Sequence, residues 1–222
     1  MGRPPLPGGA GSHPLTHYRR SRAGPSDRSK AMEIAVLGTG FIGGILGNAL
    51  TDAGHVVRFG SRHPDDDDVT DGPDAVVVSI PEALVGAEAV ILAVPGTAVS
   101  ELVADHGGLL SGHLIIDATN RMGAAVSNCR SDLPDDIRYA RAFNTLSGEV
   151  MAHPRFAAGV ADMYFSAPGD DRAIVETVVA GVGLRPVYVG ADQEDLVDSV
   201  FKLWIALVAD YGRRHAFHLM ED

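Results

Sequence analysis

A single cysteine, Cys129, stands among the 222 residues. It excludes an internal disulfide and, without thiolate neighbours, argues for no metal site; a reducing, cytoplasmic location is the expectation. No apolar run approaches the roughly 18 to 20 residues that a membrane-spanning helix needs. Lysine is nearly absent, only Lys30 and Lys202 standing beside sixteen arginines, and aromatic residues make up 6% of the chain. Acids outnumber Lys and Arg by 29 to 18, for a formal charge of −11. An acidic surface repels phosphodiester backbones, so nucleic acid is a poor match and a small molecule is the expected partner.

The charge is uneven. Residues 1–31 carry six Lys and Arg against the one acid Asp27 and are rich in Gly, Pro and Ser. Such a segment cannot bury enough apolar surface to offset its ordering entropy, so it reads as a disordered basic extension upstream of a domain that starts at Met32. Its Pro and Gly content argues against an amphipathic targeting helix.

From Glu33 onward, short apolar runs alternate with amphipathic stretches, which is the pattern of βα units around a mostly parallel sheet. EIAVLG, HVVRFG, DAVVVSI, AEAVILAVP and HLIIDAT read as five strands. FIGGILGNALTDAG reads as the first helix, and another spans about Thr97 to Asp105. Beyond residue 121, DIRYARAFN, DMYFSAP and RPVYVG read as added strands and DRAIVETVVAGVG as a helix. A last helix over DLVDSVFKLWIALVADYGRRHAFHLM carries Val197, Val200, Phe201, Trp204, Ile205 and Val208 at helical spacing, and its apolar character makes a homodimer plausible. The expected organisation is thus an extension over 1–31, a doubly wound nucleotide-binding region over 32–121, and an α/β addition over 122–222 that completes an acceptor cleft.

Gly38-Thr39-Gly40-Phe41-Ile42-Gly43 is G-x-G-x-x-G set between a strand and a helix. In that setting the first glycine permits the tight turn, the second admits a pyrophosphate, and the third lets helix and sheet pack closely. The N-terminus of the helix then offers NH groups to the phosphates. Where the second strand ends, a chain that selects NAD carries Asp or Glu for the ribose hydroxyls. Here Gly60-Ser61-Arg62 stands instead, a hydroxyl and a guanidinium suited to a 2′-phosphate, and NADP(H) is the expected cofactor.

Chemistry should lie at the carboxyl ends of the strands: at Val94-Pro95, at Asp117 to Asn120, and at Asn144-Thr145. None of these ends offers a convincing acid-base pair, and Asp117 suits the capping of loop NH groups as well as proton transfer. Hydride transfer between two bound heterocycles needs orientation and no protein nucleophile. His215, His218 and Glu221 recur at i, i+3, i+6 on the last helix, but a fraying helical turn explains them better than a metal site. Ser79 and Ser127 have no triad partners in view. The acidic run at Asp65 to Asp68 reads as a solvated loop.

With these residues in hand, the sequence resembles the NADPH-dependent reductases of the deazaflavin coenzyme F420, within the wider pyrroline-5-carboxylate reductase-like group of NAD(P)-binding proteins. The resemblance rests on IAVLGTGFIGGILGNAL, AGHVVRFGSR, AVILAVP, IIDATN, ARAFNTL and GLRPVYVG, and spans about Glu33 to Leu219. It implies a Rossmann-type doubly wound sheet with added C-terminal strands and a closing helix. It implies that Gly38, Thr39, Gly40, Phe41, Ile42 and Gly43 form the pyrophosphate turn, that Ser61 and Arg62 hold the 2′-phosphate, and that Val94 flanks the cofactor. Pro95, Asn120, Asn144 and Thr145 would line the cleft where nicotinamide meets coenzyme F420. Arg141 stands where many such reductases carry Lys. Two other readings remain open: reduction of another small acceptor (a flavin, an imine or a biosynthetic intermediate), and a regulatory module that binds NADPH without turnover.

Overall fold

The computed structural model describes residues 30–65, 75–121 and 127–220. The expectations for residues 1–29, for most of the acidic loop after Asp65 and for Glu221 fall outside them. The elements run β1 (Glu33–Leu37), α1 (Phe41–Asp52), β2 (Val56–Ser61), β3 (Val76–Ser79), α2 (Ile80–Leu84), β4 (Ala89–Leu92), α3 (Val99–Leu110), β5 (Leu114–Asp117) and β6 (Arg138–Arg141). They continue with α4 (Gly148–Ala152), β7 (Arg155–Phe156), β8 (Gly159–Val160), β9 (Asp162–Phe165), α5 (Arg172–Gly181), β10 (Arg185–Tyr188) and α6 (Glu194–Tyr211).

β3, β2, β1, β4, β5 and β6 form one sheet in that order, every neighbouring pair parallel. The order reverses between β1 and β4, which is the switch point of a doubly wound sheet, where such folds hold their ligand. The expected Rossmann-type architecture is therefore what the chain adopts. β6 falls after residue 121 and still completes this sheet. A parallel β9–β10 pair follows, joined to β6 by a single antiparallel bridge between Arg141 and Ser166.

Strand alternation builds two cores. Along β1, Ile34 and Val36 face one side with Leu46, Leu50, Phe59 and Val178, while Ala35 and Leu37 face the other with Ile80, Leu84, Leu102 and Leu110. Because both faces are covered, the strands read as continuous apolar runs such as AVIL in β4.

Three sequence-based boundaries need correction, and one hairpin was not foreseen. The third strand stops at Ser79, because Ile80 opens α2. Ser79 caps that helix: its hydroxyl accepts from the Glu82 NH, and the Glu82 side chain accepts in return from the Ser79 NH. α3 starts at Val99 and runs on to Leu110, after a short turn at Gly96–Ala98. The hairpin β7–β8 was not legible as strand. The last helix ends at Tyr211, where Gly212 takes φ 71.

The chain beyond Gly212 folds back along the body. His215 stacks on Trp204 with ring centres 5.0 Å apart, and its carbonyl accepts from the Trp204 indole NH at 3.0 Å. His218 sits beside Asp162 and the Val160 carbonyl. The supposed helical spacing of these histidines does not exist. Trp204 is a core residue as expected, and the described residues contain no cluster of His, Cys, Asp or Glu able to hold a metal ion.

Candidate functional site

The turn after β1 carries the glycine motif. Gly38 has φ 115, and a Cβ there would lie 2.7 Å from the Ala93 carbonyl oxygen, so the turn closes only around glycine. A Cβ on Gly43 would lie 2.0 Å from the Gly38 carbonyl oxygen. That contact is where α1 seats against the turn. Gly40 differs: it is exposed, and a Cβ there would meet nothing within 4 Å. Gly40 also serves as the N-cap of α1 without any side-chain cap, and no acid occupies the first turn. A helix start left open in this way suits an anion.

At the turn, a cleft of about 250 Å³ is lined by Gly38, Thr39, Gly40, Ser61, Arg62, Val94, Pro95 and Glu101 among others. It therefore unites the glycine turn, the end of β2 and the end of β4, three segments separated in sequence. Ser61 is buried and its hydroxyl accepts from the His63 NH at 2.9 Å. Arg62 is exposed and pairs with Glu101 on α3, Nη1 to Oε2, at 3.1 Å. No acid stands at the end of β2, so the residues present fit a nucleotide with a 2′-phosphate better than one with bare ribose hydroxyls.

The remaining members of the glycine turn point elsewhere. Phe41 is 66% exposed, and its ring lies so close to Gly148 that a Cβ there would fall 2.3 Å from the ring. Phe41 thus links the start of α1 to the start of α4. Ile42 packs against the core under α1.

Toward the ends of β5 and β6 the site rests on a buried polar network. The Asp117 carboxylate accepts from the Thr119 NH and hydroxyl at 2.8 and 2.7 Å, from the Cys129 NH at 3.1 Å and from the Tyr139 hydroxyl at 2.7 Å. This is the loop-capping role, and it leaves the carboxylate committed. Arg141, fully buried, donates from Nε to Asp198 on α6 at 2.8 Å and from Nη2 to the Asn120 carboxamide oxygen at 3.1 Å. Its Nη1 reaches the carbonyls of Asp117 and Thr119 and lies 3.3 Å from the Asp117 carboxylate. Burial, and then the charge of Asp117, push the Tyr139 phenol above its ordinary range. Burial likewise raises the Cys129 thiol.

Asn120 is half-buried, and its amide donates to the Asn144 carbonyl at 3.2 Å. Asn144 and Thr145 are each 1% exposed, so they lie behind Asn120 and not on an open wall. The Asn144 amide donates to Asp198 at 3.0 Å, while its carboxamide oxygen has no hydrogen-bond partner. Phe143, just before it, holds φ 62. A non-glycine residue in that region is strained, and such strain concentrates at ligand sites. The structure thus gathers Gly38, Thr39, Gly40, Ser61, Arg62, Val94 and Pro95 around one cleft, places Asn120 and Asn144 in the network beneath the neighbouring strand ends, and buries Thr145 against the Met163 sulfur. Glu101 and the Arg141–Asp198 pair were missed from sequence.

Residues 33–121 match the family model described as NADP oxidoreductase, coenzyme F420-dependent, in agreement with the resemblance carried by the motifs. The chain is 26% identical over 180 residues to a glycerol-3-phosphate dehydrogenase (NAD(P)+) of Pseudomonas fluorescens strain SBW25, a match covering 72% of this chain and 51% of that one. The chain therefore spans about half the length of the curated relatives it matches. Among solved structures, it is similar to a proposed F420-dependent NADP-reductase from Arthrobacter sp. FB24, at TM-score 0.72 and 23% identity, over 86% of this chain and all of that one. It is also similar to the hypothetical protein SMa0349 from Sinorhizobium meliloti, at TM-score 0.64 and 26% identity, over 86% and 96% of the two chains. A reductive aminase from Aspergillus terreus, solved with NADPH and ethyl levulinate, aligns at TM-score 0.58 and 18% identity over 81% of this chain and 61% of that one. The description of the matched family model and the names of the Pseudomonas fluorescens dehydrogenase and the Arthrobacter structure all refer to NAD(P)-dependent redox proteins.

Proposed function

We propose that this chain is an oxidoreductase that exchanges hydride between NADP(H) and a deazaflavin of the coenzyme F420 type. The observation that carries the cofactor half is the single cleft joining the glycine turn to Ser61 and Arg62, with no acid at the end of β2. The family match over 33–121 supports the deazaflavin half.

The residues divide the work. The Gly38–Gly40 turn and the uncapped start of α1 would hold the pyrophosphate, and Ser61 with Arg62 would grip the 2′-phosphate. Val94 and Pro95, at the end of β4, would support the nicotinamide side and keep water from that edge. Asn120, fixed by Arg141 and Asn144, would orient the acceptor ring at the end of β5. Bound NADPH supplies the hydride, and no protein group need carry charge during its transfer. The committed state of Asp117 supports this reading, since its carboxylate already accepts four hydrogen bonds and has no spare role as a base.

A second reading, reduction of an imine or another small acceptor, draws on the fold shared with the Aspergillus terreus reductive aminase. A paired titration of the protein with NADPH and NADH, followed anaerobically by oxidised deazaflavin, tests both halves. Tighter NADPH binding with loss of the deazaflavin's visible band is the expected result. NADPH oxidation by imines with an unchanged deazaflavin band would transfer the assignment to the second reading, and NADPH binding with no turnover of either acceptor would leave a binding module.

A further inference from the structure

We propose that Glu101 is a specificity-determining residue of the nucleotide cleft: a counter-charge that holds Arg62 until a 2′-phosphate displaces it, narrowing the preference for NADPH over NADH. The inference rests on the reading that this cleft holds NADP(H).

Arg62 is the first residue past β2, and Glu101 lies in the first turn of α3. Their side chains meet at 3.1 Å, and they are 59% and 65% exposed. An exposed pair of this kind adds little to folding stability. The local position of Glu101 explains only part of its presence: an acid in a first turn complements the positive end of the helix, but many surface directions would serve that purpose. This one points at the cation expected to select the cofactor. Both residues line the same cleft as Gly60, Ser61 and His63.

The energetic consequence is one-sided. A 2′-phosphate must draw Arg62 away from a carboxylate and then settle near that carboxylate's negative charge. NADH brings no phosphate and meets neither cost. Where many nucleotide sites place the discriminating acid on the second strand, this chain sets one on α3, where it tempers the phosphate grip without abolishing it.

Calorimetric titration of the full chain with NADPH and with NADH, in the wild type, Glu101→Gln and Arg62→Ala, tests this. Glu101→Gln should bind NADPH about two- to fivefold more tightly and leave NADH within about 1.5-fold, as expected for losing one exposed charge contact. The gain should shrink in about 0.5 M salt as screening shortens the reach of the carboxylate. Arg62→Ala should weaken NADPH by about tenfold or more, and in that background Glu101→Gln should change NADPH binding less. Unchanged or weaker NADPH binding by Glu101→Gln would overturn the proposal. So would a loss confined to NADH, which would make Glu101 a ribose ligand. Wild-type protein that binds NADPH no better than NADH, with Arg62→Ala equally weak for both, would instead remove the cofactor reading on which the proposal stands.

Discussion

Arg141 at the end of β6 donates from Nε to Asp198 on α6 at 2.8 Å, and both side chains are buried. With the Asn144 amide, which also donates to Asp198, that contact ties the closing helix to the sheet beneath the candidate acceptor site. It also belongs to a set in which one guanidinium serves two carboxylates, two backbone carbonyls and the Asn120 side chain.

Removing the cation should therefore be far more damaging than its count of contacts suggests. Arg141→Ala leaves Asp117 and Asp198 buried without their shared partner, a change that typically costs about 3–5 kcal/mol. Asp198→Asn keeps an acceptor for Arg141 and should cost less than half as much. Urea unfolding followed by circular dichroism measures both. A loss below about 1 kcal/mol for Arg141→Ala would mean that the network does not hold α6 in place.

Much of this was legible beforehand, for identifiable reasons. The glycine turn, the strands around it and the end of β2 are local patterns, and the cleft gathers Gly38, Thr39, Gly40, Ser61 and Arg62 from them, though not Phe41, Ile42 or Gly43. The capping box at Ser79 and Glu82 is local too and could have been read, since Ser-x-x-Glu with Pro81 inside it announces a helix start. Asp198 gave a fainter sign, an acid adjoining Val197 near Phe201 on the apolar side of α6. Glu101 gave none. It lies 39 residues from Arg62, and only the folding of α3 against the end of β2 brings them together. The end of α6 was misplaced because apolar residues continue past Gly212, where the backbone turns and Trp204 takes His215 as a stacking partner.

Cys129 should behave as an inert side chain. It is fully buried, burial raises its thiol, and the Thr119 hydroxyl lies 3.1 Å from its sulfur. Thiolate is the reactive form, so native protein should resist alkylation at neutral pH. Labelling by a maleimide, read by mass, should follow the urea unfolding curve and reach one adduct per chain. Rapid labelling of native protein would show that the segment around Cys129 opens without global unfolding.

His55 links stability to acid pH. It is buried, and its Nδ1 accepts from the Met32 NH at 3.3 Å, an arrangement that needs the neutral ring. Burial lowers its pKa from 6.5, and Glu88 opposes that shift only in part. The unfolded chain therefore takes up the proton more readily than the folded one. Stability from this residue is complete above the unfolded pKa and declines as pH falls below it toward the depressed folded value. His55→Asn supplies an acceptor without the titration, so its urea midpoint should fall less than that of the wild type between about pH 7.5 and pH 5.5. Parallel profiles would assign the acid sensitivity to other groups.

The glycine turn offers a way to separate folding from binding at positions three residues apart. A Cβ on Gly43 would collide with the Gly38 carbonyl oxygen at 2.0 Å, and backbone cannot yield as a flexible side chain can. Gly43→Ala should therefore destabilise the fold, by about 1–3 kcal/mol for an overpacked contact. A Cβ on Gly40 meets nothing within 4 Å, and its φ of −71 is open to any residue. Gly40→Ala should stay within about 1 kcal/mol of the wild type, the usual range for a helix N-cap. Yet the space its methyl would enter is the approach reserved for a pyrophosphate. Gly40→Ala should bind NADPH and NADH more weakly by similar factors, because both carry that group, whereas changes at Arg62 and Glu101 act on NADPH alone. Thermal melts with and without each nucleotide read both effects in one experiment. A Gly40→Ala protein that keeps full nucleotide affinity would place the pyrophosphate away from this turn.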